Sequence, residues 1–196
     1  MTIPLSIDLR EVARYMRMGG ALPEGVLAER VKALMAEAEK AVRPARVWRR
    51  LPIASGAIGS GPCAIPLSGT LAAHLDGCRA AYLVCGTLGA GMDALQRRVS
   101  AQSGADALIV QAIGAAFIEA WMDAVEGEIK GELATGESLV TRYSPGYGDI
   151  PLAAQRELLG LLDAPRTVGV SLTDTLLMVP SKSVSAVIGV KMEEPR

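Results

Sequence analysis

The chain has 196 residues, half of them hydrophobic and about a fifth charged, enough to bury one good core or two small ones. Its 20 basic and 21 acidic residues leave a net charge of −1, which gives no electrostatic case for nucleic acid or an anionic membrane. With one Phe and two Trp, the apolar content is mostly Ala, Leu, Val and Ile, which suits close helix packing and offers bases little to stack on.

Met1 to Asp8 carries no basic segment followed by an apolar one, so no signal peptide is expected. No apolar run reaches the roughly 20 residues of a membrane span. Asp8 to Met18 reads as a short helix stopped by Gly19-Gly20. Pro23 to Val42 carries Val26, Leu27, Val31, Leu34, Met35 and Ala38 at helical spacing and is ended by Pro44. Val47 to Ile53 alternates apolar and basic residues, as a half-buried strand does. Ala54 to Pro66 is rich in Gly and Pro and reads as a turn, with a short strand at Cys63 to Leu67.

Ser68 is an N-cap candidate for a helix through Leu75 that ends at Gly77. Ala80 to Cys85 has the length and composition of a buried strand. A glycine-rich turn at Gly86–Gly91 leads into a helix from Met92 to Ala101. Ala105 to Ile129 carries a long apolar stripe that includes Ile109, Ile113, Phe117 and Trp121. After a polar loop, a helix runs from Pro151 to Leu162, and strands are expected at Thr167–Val170, Leu176–Val179 and Val184–Val190. Short turns between those last strands imply antiparallel pairing. The expected fold is α+β: one domain over residues 1–196, with a twisted, mainly antiparallel sheet, flanking helices and a helical N-terminal part over about 1–45.

Few motifs carry chemistry. The glycines of Gly86–Gly91 fall as GxxGxG, which is neither a dinucleotide fingerprint nor a Walker A loop, so a tight strand-to-helix turn is expected. His74 is the one histidine, and it has no acid or cysteine at ligand spacing. Cys63, Cys78 and Cys85 form no CxxC pair, so no metal site is expected and the thiols read as small buried hydrophobes. A reducing cytoplasm is the matching compartment. Glu126, Glu128, Glu132 and Glu137 read as a solvated acidic face.

Arg142-Tyr143-Ser144-Pro145-Gly146-Tyr147-Gly148-Asp149 stands apart. It sets a cation, two phenol rings and a carboxylate around a Pro-Gly bend, which favours a type II turn and fixes the directions of its side chains. Two readings stay open on chemistry alone. The loop is a structural turn with Arg142 in a surface ion pair, or it recognises a small zwitterionic or anionic ligand. In the second case Arg142 forks a carboxylate, Tyr147 offers a ring face and a hydroxyl, and Asp149 pairs with an ammonium.

The same loop, the Pro-initiated helix after it, Leu172-Thr173-Asp174 through Met178-Val179-Pro180, and Ser183-Val184-Ser185-Ala186 together resemble the activation domain of cobalamin-dependent methionine synthase. That family carries an RPAPGY-like loop, an LTES-like turn, a Met-x-Pro strand end and a Ser-Val-Ser strand in this order. The resemblance is strongest over Leu139 to Val190. It implies binding of S-adenosylmethionine and donation of its methyl to an oxidised cobalamin, with an electron from a flavodoxin-like donor. It places Arg142 on the ligand carboxylate, Ser144 at a main-chain contact and Tyr147 beside ligand and corrinoid, with Gly146 also among the ligand-binding residues. The family's helix acid falls on Ala115 here, with Glu119 one turn later; Asp8 is the acid available near the N-terminus. The cobalamin would be carried by a partner, a corrinoid-dependent methionine synthase or a related corrinoid methyltransferase. A binding module without its own methyl donor, and an unrelated enzyme with a carboxylate substrate, are the alternatives.

Overall fold

The computed structural model describes residues 7–61 and 64–193; Cys63 and the first six residues lie outside that range. In chain order the elements are α1 (Leu9–Tyr15), α2 (Gly25–Ala41), β1 (Ala45–Ala54), β2 (Ala57–Ile58), β3 (Ile65–Pro66), α3 (Gly69–His74), β4 (Ala80–Thr87), α4 (Ala90–Ser100), α5 (Gly104–Lys130) and β5 (Glu137–Leu139). A 3₁₀ turn (Leu152–Ala154), α6 (Gln155–Leu161), α7 (Ala164–Thr167), β6 (Ser171–Leu172), β7 (Met178–Val179) and β8 (Ser183–Met192) follow.

Six strands form one antiparallel sheet in the order β3-β2-β1-β4-β8-β5, and β6 with β7 makes a separate ribbon. The α+β class and the antiparallel sheet are as expected from the short C-terminal turns. β4 lies in the middle and all its residues are buried, because both faces of the sheet are covered. Ala80, Tyr82 and Val84 face one core with α1, α2, α4 and α5, while Ala81, Leu83 and Cys85 face a second core with α3, α6 and α7. The period-two alternation of a strand therefore divides one apolar run between two cores. Each large aliphatic side chain so buried contributes about 1.5–3 kcal/mol.

α5 is the described helix long and apolar enough to cross a bilayer by length and composition, where no such run was expected from the sequence. Its apolar residues are used for packing. Ile113, Phe117, Met122 and Ile129 are fully buried in the first core. The glycine-rich turn is confirmed as a tight strand-to-helix connection. Gly89 takes φ +78, and a Cβ on Gly91 would run into the Ala41 carbonyl, so α4 can approach α2 only without a side chain there.

Three expectations need correction. Thr167–Val170 is not a strand: Asp163 adopts a left-handed φ of 48°, Pro165 opens α7, and the pairing begins only at Ser171. Ala54–Pro66, expected as a turn with a short strand at Cys63–Leu67, holds that strand as β3 at Ile65–Pro66 but also β2, with which it pairs, while β5 at Glu137–Leu139 pairs with β8. Ser68 occupies the N-cap position of α3 but makes no capping bond.

Candidate functional site

The missing cap of α3 comes from the loop after β5. The Asp149 carboxylate accepts from the Thr70 N–H at 2.9 Å and also from the Thr70 hydroxyl. These bonds hold its carboxyl below the usual carboxylate range, the hydroxyl being the larger cause. Tyr143 Oη lies 2.7 Å from the same hydroxyl, and its ring packs on His74 at 4.9 Å between centroids. His74 Nε2 lies 2.8 Å from the Thr141 carbonyl oxygen. The lone histidine thus steadies the loop; among the described residues no group of metal-ligating side chains gathers.

The other side of the loop is fixed to the sheet. Tyr143 exchanges both main-chain bonds with Val187 (2.9 and 2.8 Å), and Val140 N–H donates to Gly189 at 3.0 Å. The expected turn then forms. Tyr147 N–H donates to the Ser144 carbonyl at 3.3 Å across Pro145-Gly146, and Gly146 takes the positive φ of 90° that a type II turn needs. A second turn through Gly148 brings Ile150 N–H to Tyr147 and Gly146 N–H to Ile150. Arg142 and Tyr147 are therefore aimed by a bend anchored on both the sheet and α3.

They aim at a cavity of about 950 Å³, within the range of small-molecule sites. Its walls are the loop, one face of α5, the start of β8, Gln155 of α6 and the β6–β7 ribbon. Of the residues singled out from sequence, Arg142, Ser144, Tyr147 and Glu119 line it. Gly146 and Asp149 do not: Gly146 sits exposed in the bend, and Asp149 is turned to α3. The expectation that Asp149 meets a ligand ammonium is thereby replaced by a capping role.

Arg142 is 19 % exposed and its guanidinium is held by three carboxylates of α5. Nη2 donates to Asp123 at 2.8 Å and to Glu119 at 3.2 Å, and Nη1 donates to Glu126 at 3.3 Å. Positions 119, 123 and 126 fall on one helix face, which is the signal a sequence reader needs. Glu126, read as part of a solvated face, is in fact a cavity wall that also pairs with Lys130 at 3.1 Å. Glu119, Asp123 and Glu126 outnumber Arg142 and Lys130 by one, so this end of the cavity has a small acidic surplus. The mouth carries exposed apolar side chains, with Tyr147 at 70 % and Leu177 at 63 % exposure.

Sequence reasoning also missed Gln155 and Ser185, both 3 % exposed and both on the cavity wall. Ser185 lies in the Ser-Val-Ser segment of the resemblance, which gives it no site role, and nothing near Gln155 in sequence marks it, because its burial depends on the ribbon. Ala115 is elsewhere: it lines a second groove of about 590 Å³ with Tyr15, Leu27 and Leu108. Asp8 caps α1 through the Arg10 N–H at 3.0 Å. Cys78 and Cys85 are free and buried, and burial pushes the Cys85 thiol up to about 12.

A family profile described as "Vitamin B12 dependent methionine synthase, activation domain" matches residues 80–194. Among solved structures, the chain is similar to the crystal structure of the MetH reactivation domain bound to AdoHcy. The TM-score is 0.63 and the identity 17 %, over 97 % of this chain and 75 % of that one. At that identity the likeness is one of fold. No curated protein matches the sequence.

Proposed function

This chain belongs to the activation-domain family of vitamin B12 dependent methionine synthase, and we propose that it reactivates a methionine synthase-type corrinoid methyltransferase by binding S-adenosylmethionine. The observation that carries this reading is the cavity, in which Arg142, Glu119, Ser144 and Tyr147 meet beneath an open mouth. When bound, S-adenosylmethionine supplies a sulfonium methyl to the cobalt of a partner's cobalamin, with one electron from a flavodoxin-like donor, and leaves S-adenosylhomocysteine.

The residues present fit such a ligand. Arg142 would fork its carboxylate, exchanging bonds now made to α5, and Glu119 or Glu126 would accept from its ammonium. Their acidic surplus also favours a ligand that carries a sulfonium charge. Tyr147 and Leu177 at the mouth would exclude water from the methyl and offer an apolar rim to the corrinoid carrier. The chain supplies position and charge and performs no proton transfer. A cytoplasmic setting goes with this reading, as do the two buried free thiols. Incubating the chain with methyl-labelled S-adenosylmethionine, a reductant and a cobalamin-loaded methionine synthase lacking its own activation module tests it. Label on the corrinoid is expected; no label with Arg142 intact would refute the proposal.

A second reading, a module that binds the corrinoid protein without a methyl donor, is favoured by one observation: both terminal nitrogens of Arg142 already bond to Asp123, Glu119 and Glu126. Binding to a cobalamin-loaded partner without binding to free S-adenosylmethionine would select it.

A further inference from the structure

Four polar residues are buried among those described: Thr87, Gln155, Ser183 and Ser185. Thr87 and Ser183 satisfy each other, with the Ser183 hydroxyl 2.8 Å from Thr87 Oγ1 and 2.7 Å from the Pro180 carbonyl. Gln155 and Ser185 differ. The Gln155 amide nitrogen donates to the carbonyls of Leu152 and Leu176, both at 3.4 Å. Two carbonyl neighbours fix which end of the amide is which, since only the NH₂ can face them. Among the described residues Gln155 Oε1 is then left with no donor, and the Ser185 hydroxyl with no partner. Both side chains line the cavity, and neither of these atoms is sealed from it.

The main chain of β8 adds to this floor. Val187 bonds outward to Tyr143 while Val190 bonds inward to Arg79, so odd-numbered residues of β8 face the outer edge. Tyr143 is the last segment paired there, and Ser185, two residues before Val187, presents its N–H and C=O to the same unpaired edge. This floor is uncharged. It lies on the α6 side of the sheet, whereas Arg142, Glu119 and Glu126 gather on the α5 side, so the edge of β8 separates a charged end from a neutral, acceptor-rich end. Leu176 and Met178 of the ribbon flank the neutral end with apolar surface.

We propose that Gln155 is a specificity-determining residue: its Oε1 accepts from the exocyclic amine of the ligand's base and selects a 6-aminopurine over a 6-oxopurine. The inference rests on the reading that the cavity takes an adenosyl amino acid with its charged end at Arg142. A 6-oxo group would set an acceptor against an acceptor held in place by two main-chain carbonyls, and a site built to take a buried hydrogen bond rejects the analogue that cannot make it.

The test is calorimetric titration of the full chain with S-adenosylhomocysteine and with S-inosylhomocysteine. The wild-type chain should bind the adenosyl compound at least about tenfold more tightly. Gln155→Met, which keeps the length of the side chain, should bring the two within about threefold of each other, with a thermal melt verifying the fold. The wild-type comparison needs no variant, so it decides even where the variant unfolds. Equal wild-type affinities would overturn the role of Gln155 and leave the adenosyl site standing. So would a preference that survives in a folded Gln155→Met. Binding of neither compound would overturn the site itself, and the inference with it.

Discussion

At the scale of single residues, Arg142 illustrates how charge decides a site. Its pairs with Glu119 and Asp123 are partly exposed, and such pairs contribute about 0–1 kcal/mol, so the lock on the guanidinium is weak enough for a ligand carboxylate to replace it. Glu119→Gln is accordingly expected to change the thermal midpoint little. It should weaken S-adenosylmethionine several-fold and lessen the salt dependence of binding, both read by titration at two ionic strengths. The Asp149 clamp gives a pH prediction. Its folded pKa is lowered by the Thr70 hydroxyl and N–H, so its contribution is present above the ordinary carboxylate value near 4 and is lost as pH falls through the lower folded value. The Gly148 amide resonance should therefore stay fixed from pH 8 to 5 and move only in acid; movement above pH 5 would contradict the clamp. Arg142 and Tyr147 could be found from sequence, because a cation and a phenol around Pro-Gly have few packing explanations. Gln155 could not, since a glutamine on an amphipathic helix looks solvated until the ribbon covers it.

At the scale of elements, glycines separate packing from flexibility. A Cβ on Gly91 would strike the Ala41 carbonyl, and backbone cannot move aside as a side chain can. Gly91→Ala should cost about 1–3 kcal/mol in denaturant unfolding. Gly127, exposed in α5 with nothing near its missing Cβ, is the opposite case, and Gly127→Ala should stabilise by about 0.5–1 kcal/mol. A stable Gly91→Ala chain would contradict the close α2–α4 contact. The elements legible in sequence were those whose signal is local and long: the stripe of α5, the unbroken apolar run of β4, and the Gly and Pro stops around α1 and α2. β5 is three residues of mixed polarity whose partner lies about fifty residues on, so its pairing is invisible locally. Val168 and Val170 suggested a strand, but the left-handed Asp163 and Pro165 impose a helical turn first.

At the scale of the whole molecule, one antiparallel sheet sits between two helical layers, and the site occupies the place where the sheet runs out. β8 is paired along β4 from Ser183 to Val190, yet its outer edge is covered only as far back as Tyr143. The uncovered start of β8, α5 from one layer, α6 from the other and the ribbon close around that edge, which is why residues from 119 to 185 meet there. The sequence resemblance over Leu139 to Val190 captured the loop, ribbon and strand of this assembly, and the wall from α5 needed the fold.

To bind S-adenosylmethionine, a guanidinium anchored by a rigid bend must exchange three helix carboxylates for the amino-acid end of a sulfonium nucleoside. Isothermal titration of the wild-type chain and of Arg142→Ala with S-adenosylmethionine measures that exchange. Saturable one-to-one binding by the wild type, weakened about tenfold to a hundredfold in the variant, is predicted from the worth of a charge-assisted bond. Indistinguishable titrations of the two proteins, or no heat from either, would contradict it.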